Sequence, residues 1–138
     1  MGWKIIDAYS KVEATPWVSI GVHAKPGGGQ IKITMSQTIT EHLGVADGDR
    51  VMVSRGMGDH EGWLQIQKSP SWYEHGMTLS NRKTKKGNLF FRTNAAHFGI
   101  RGRHSTKKIT TDDAALILTY DTDLAEPAIQ VEMPEEMR

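Results

Sequence analysis

The strongest chemical bias in the chain lies between Asn81 and Lys108. Arg82, Lys83, Lys85, Lys86, Arg92, Arg101, Arg103, Lys107 and Lys108 are nine cations with no Asp or Glu among them. Lysine and arginine neutralise phosphate and release the counterions condensed on a nucleic acid, and Gly87, Gly99 and Gly102 let backbone approach such a polymer closely. Phe90, Phe91 and Phe98 are interleaved with the charges. The segment is expected to contact a polyanion, either nucleic acid, with DNA foremost, or an acidic protein surface. With about half of the cations on phosphate, the log–log salt slope of binding is roughly −4. The competing reading is a solvated surface balanced by the tail. From Ile109 to Arg138 eight carboxylates oppose one base, so the formal net charge of +1 conceals a basic block beside an acidic one.

Catalytic chemistry finds little support. His23, His42, His60, His75, His97 and His104 lack the close pairing by which one helix or strand presents two ligands to a metal. Asp121, Asp123 and Glu132 match three positions of a calcium loop, but Ala125 removes a ligand and Glu126-Pro127 stands where the sharp glycine turn belongs. No elbow motif surrounds any serine, and without cysteine there are neither disulfides nor thiolate metal sites. The chain is therefore read as non-enzymatic, with no cofactor and no metal.

The best organised stretch is Gln30 to Lys68. Ile31, Ile33 and Met35 alternate with polar residues, the period of a half-buried strand. Ser36 is placed to cap a helix of about two turns, with Ile39 and Leu43 on one face and Gly44 as its left-handed stop. Asp47-Gly48-Asp49 forms a turn, Val51 and Val53 alternate into a second strand, and Trp63-Leu64-Gln65-Ile66 returns as a third. This order, carried by Ile31, Ile33, Leu43, Gly44, Gly48, Asp49, Val51, Val53, Leu64 and Ile66, resembles the AbrB/MazE/SpoVT family of swapped-hairpin domains. The resemblance implies a small dimeric β-barrel of bacterial or phage type, and many members bind DNA as transcriptional regulators or antitoxins. The cations at positions matching the family's DNA-contacting strand and loops are Lys25, Lys32, Arg50 and Arg55. Of these Lys32 and Arg55 join the basic block as candidate contacts. Asp47, Asp49, Asp59 and Glu61 crowd the same loops and repel phosphate.

Around that unit, residues 1–29 are read as an N-terminal edge segment followed by a hairpin strand at Trp17–Ala24, turned by Gly27-Gly28-Gly29. Residues 69–86 form a connector that runs into the basic block, with Trp72 and Tyr73 expected to pack beneath it. Residues 87–138 make a second β half whose Asn94–Ile100 segment, stopped at Gly99, echoes Ser36–Gly44. This second half is either a degenerate copy over 87–133 or an unrelated β appendage. The expected fold is thus mostly β: a small swapped-hairpin-type barrel with short capping helices, as two tandem half-barrels if the duplication holds. A lone half-barrel requires a homodimer, whereas a duplicated chain makes a single-chain pseudo-dimer. At 138 residues the chain can bury a real core, and it carries neither a membrane-length apolar run nor a secretion signal, so a cytoplasmic location without membrane contact is expected. The leading expectation is a DNA-binding or transcription-associated protein. The alternative is a protein-binding module, such as a phage-borne inhibitor or an assembly component.

Overall fold

The computed structural model describes residues 2, 15–25, 28–82, 84, 87–119 and 127–138. The edge segment expected before Trp17 falls almost wholly outside them, as do Lys83, Lys85, Lys86, Asp121 and Asp123.

The alternation at the start of the chain becomes a hairpin. β1 (Trp17–Lys25) pairs antiparallel with β2 (Gly28–Met35), with Ile20 opposite Ile33 and Val22 opposite Ile31. Val18, Ile20, Ile31, Ile33 and Met35 are completely buried, so one face of the hairpin belongs to the core. β6 (Leu89–Asn94) adds beside β2, and β7 (Ser105–Thr110) adds beside β1, giving a four-stranded antiparallel sheet in the order β6-β2-β1-β7. The first hairpin is therefore flanked on both sides by strands from the second half of the chain.

A second antiparallel sheet has the order β5-β3-β4-β9-β8, built from β3 (Arg50–Arg55), β4 (Trp63–Lys68), β5 (Met77–Thr78), β8 (Leu116–Thr119) and β9 (Ala128–Glu132). One apolar cluster joins the two sheets, from Val18 on β1 through Ile66 on β4 and Phe91 on β6 to Met137 near the C-terminus. The protein is mostly β, as expected.

The sheets meet along one side, where Ser80 and Phe90 exchange both backbone hydrogen bonds at 2.9 Å and carry the chain from β5 toward β6. Along the other side they stay open, so the closed barrel is not formed. After β7 a 3₁₀ turn at Thr111–Asp113 and the left-handed Ala114 (φ 57°) redirect the chain, and β9 inserts between β4 and β8. β8 is thereby kept from pairing back onto β7. The connector also differs from expectation. It contributes β5 and the buried Leu79, while Trp72 is 70% exposed instead of packing beneath it.

The one α-helix among the described residues is α1 (Gln37–Leu43), ended by Gly44 at φ 69°. That left-handed geometry strains any residue bearing a Cβ. The N-terminus is secured differently from expectation, because the Ser36 hydroxyl accepts from the Trp17 amide at 3.2 Å and not from the helix. The Gln37 amide donates instead to the Asn88 side chain at 3.1 Å. Thr40 Oγ1 donates to the Gly87 carbonyl at 3.0 Å, so the start of β6 and α1 hold each other. The corresponding short element of the second half is a 3₁₀ turn at Ala95–Phe98, capped by its own Asn94 side chain and ended by Gly99, also at φ 69°.

Candidate nucleic-acid interface

Side chains alternate across a strand, so burying Val18, Ile20, Ile31, Ile33, Leu89 and Phe91 commits their neighbours to the outer face of the first sheet. The registers then fix what lies beside what. Arg92, Lys32, Gly21 and Thr106 form one row across β6, β2, β1 and β7, and Phe90, Thr34, Ser19 and Lys108 form the next. Trp17 opens β1 one row further on, opposite Thr110. In the other direction Asn94, Gln30 and His23 are in register, and the His104 ring meets that of His23 edge to face with centroids 5.0 Å apart.

Three cations thus share a face with two aromatic rings. Lys32 Nζ stands 4.5 Å from the Phe90 ring centroid, the Arg92 guanidinium lies 5.4 Å from the same ring, and Lys108 Nζ is 5.0 Å from that of Trp17. Such contacts contribute about 0.5–1 kcal/mol each at exposed sites and draw long cationic side chains toward the ring faces. Among the described residues the inner rows of this face carry no carboxylate. Asp113 reaches only its corner, where it accepts from Thr110 at 3.3 Å. Lys32 and Arg92 stand directly opposite each other in the ladder. Like charges so placed destabilise a sheet.

The expected contacts are distributed unevenly. Arg92, Lys108 and Lys32 come together on this face. Arg101 and Arg103 are exposed in the loop that leads through His104 into β7, at the end of the face where the two histidine rings meet. Arg82 is exposed just after Ser80, in the segment of chain that leads from β5 to β6. Arg55 is carried away to β3, where it lines a cleft of about 370 Å³ with Trp63, Phe98, Met133 and Arg138. Arg50 donates to the Glu74 carbonyl at 3.1 Å, and the side chain of Lys25 lies outside what the structure describes.

Lys107 departs most from its expected role. It sits opposite Ile20 in the β1–β7 register, on the side away from the shared face, and its Nζ pairs with Glu136 at 3.3 Å. The Glu136 carboxyl is held below its ordinary range, first by its own backbone amide and then by Lys107. The acidic tail therefore neutralises one cation of the block. Arg138 is similarly engaged, with Glu132 at 3.1 Å. Among the described residues neither carboxylate reaches Lys32, Arg92 or Lys108.

Two features of the face lay beyond the sequence reading. Trp17 was visible only as the first bulky residue of a strand, and its pairing with Lys108 depends on β7 adding to β1. His23 and His104 lie far apart in sequence, and the same strand pairing joins them. Comparison with protein-family models, with curated proteins and with solved structures finds no match to the chain.

Proposed function

We propose that the protein is a non-enzymatic nucleic-acid-binding protein, of the transcription-associated kind that the family resemblance implies, and that the outer face of the β6-β2-β1-β7 sheet is its phosphate-contacting surface. The observation that carries this reading is the cross-strand pair Lys32–Arg92 on a face whose inner rows hold no carboxylate among the described residues. A sheet gains nothing from two cations held side by side, whereas a polyanion laid across them turns their repulsion into attraction. Lys32, Arg92 and Lys108 make the central contacts, and Arg101 and Arg103 extend the positive field at one end.

The pairing pattern also supports a swapped-hairpin duplication within one chain. The β1–β2 hairpin lies between β6 and β7, while β5 and the Ser80 bridge connect β3 to β6. The first half thereby places its β1–β2 hairpin between strands of the second, and the β8–β9 hairpin of the second half adds to β4 of the first. On this reading the chain is its own pseudo-dimer and sediments as a monomer of 15.4 kDa. A dimer at micromolar concentration in sedimentation velocity would instead favour a lone half-barrel that completes itself with a second copy.

Binding is tested by titrating a labelled oligonucleotide at two salt concentrations. Three phosphate contacts give a log–log slope of about −2 for a single strand, so a fourfold rise in salt weakens binding about twentyfold. Lys107→Ala should leave both affinity and slope unchanged, since Glu136 already neutralises that charge on another side of β7. Binding that ignores salt, or that depends on Lys107, would remove the proposed surface. Among the described residues no helix is long and apolar enough to cross a membrane.

A further inference from the structure

Resting on that reading, we propose that the nucleic acid taken by this face is single-stranded, with bases stacked on Phe90 and Trp17 and the backbone beside them held by Lys32, Arg92 and Lys108. The shape of the surface comes first. Four strands make a platform roughly 14 Å across, too broad to enter a groove, and on such a platform a duplex offers only phosphates. The two rings would then have nothing to contact. Bases of a single strand are free to turn down onto them.

The spacing suits this arrangement. Phe90 on β6 and Trp17 on β1 are separated by two strand spacings and one row, roughly 12 Å along the diagonal. An extended strand crosses that distance in a few nucleotides. Between the rings the surface is made of Thr34 and Ser19, and beyond them Gly21 stands in the Lys32 row, all small enough to leave the platform low. Any Cβ added at Gly21 would lie 3.2 Å from the Thr106 hydroxyl.

The cations supply the exchange. In the free protein two positive side chains share the Phe90 ring and one covers that of Trp17. Phosphates arriving beside them draw the ammonium and guanidinium groups off the rings, and the ring faces become available to bases. Base–aromatic stacking is the stronger of the two contacts, so the exchange runs toward the complex. Gln30, exposed in the row beyond Arg92, adds an amide donor and acceptor within reach of base edges, and Asn94 opposite it, its oxygen engaged by Ala96, adds the amide donor alone.

The test uses the full chain with fluorescein-labelled oligo-dT of about twelve nucleotides and a duplex of the same length, read by anisotropy at low salt. The single strand is expected to bind at least tenfold more tightly. Phe90→Leu and Trp17→Leu keep apolar bulk while removing the π face, and each is expected to weaken single-strand binding about tenfold without changing the salt slope. Phe90→Tyr should restore it, and circular dichroism melts establish that the variants are folded. Equal or tighter binding of the duplex, or leucine variants that bind the single strand as the wild type does, would overturn the single-strand assignment and leave the phosphate-contacting surface standing. Failure of both oligonucleotides to bind at low salt would remove that surface itself and favour a protein partner.

Discussion

The double variant Lys32→Glu, Arg92→Glu is expected to lose nucleic-acid binding by on the order of a hundredfold or more, whereas Lys32→Glu alone should bind weakly yet melt at a higher temperature than the wild type. The two results share one cause. Lys32 and Arg92 are opposite each other across β2 and β6, both near the Phe90 ring. In the wild type they repel. A glutamate at position 32 converts the pair to opposite charges, and a favourable cross-strand pair contributes about 0.2–1 kcal/mol relative to a neutral one. Binding responds in the other direction, because like charge set against phosphate costs several kcal/mol. In the double variant both positions become negative and Lys108 is left as the only cation in the central rows of the face. The repulsion within the pair returns, so the stability gain of the single variant should vanish while affinity falls further. Anisotropy titrations and thermal melts of the three proteins check the pattern. A single variant that gained no stability would show that the two charges do not sense each other. A double variant that bound normally would place the phosphate contacts elsewhere.

This opposition between stability and binding was hidden in the sequence, although the elements that create it were not. Alternation at Val18–Val22, Ile31–Met35 and Val51–Val53 identified strands because burial of one face imposes a two-residue period. Gly44 and Gly99 marked the ends of two short helical elements because only a left-handed residue ends them in this way. What those local signals leave open is which strand lies beside which. The nine cations from Arg82 to Lys108 form one block in sequence, and the strand period separates Lys107 from Lys108 onto opposite sides of β7. The partner of Lys107 is Glu136, 29 residues away, and the amide acceptor for α1 is Asn88, 51 residues from Gln37. No window of sequence contains both members of either pair. Lys32, lying far upstream, joins Arg92 only because β6 adds to the first hairpin. The exposed Trp72 was misread for a related reason, since aromatic character argues for burial without saying whether a connector has anything beneath it.

Phe91→Ala should be the most destabilising single substitution considered, at about 3–5 kcal/mol, whereas Phe90→Ala next to it should cost about 1 kcal/mol or less. The two residues have the same side chain and point to opposite faces of β6. Phe91 is 1% exposed and stands opposite Ile33, so truncating its ring leaves a cavity beside the first hairpin. Phe90 faces outward, where its loss removes cation–ring contacts. A cost of that size is a large part of the roughly 5–15 kcal/mol by which a domain is usually stable. It should lower the urea midpoint by about 2 M at an unchanged m-value, with tryptophan fluorescence and circular dichroism following the same transition. Coincidence of the two probes matters as much as the midpoint. Phe91 belongs to the second half of the chain, yet it packs against a hairpin from the first, and that hairpin also pairs with β7. Halves whose strands are joined within both sheets cannot melt separately, so a cavity in either must loosen both. A biphasic transition in Phe91→Ala, with one half still folded, would mean that the halves are independent units merely in contact.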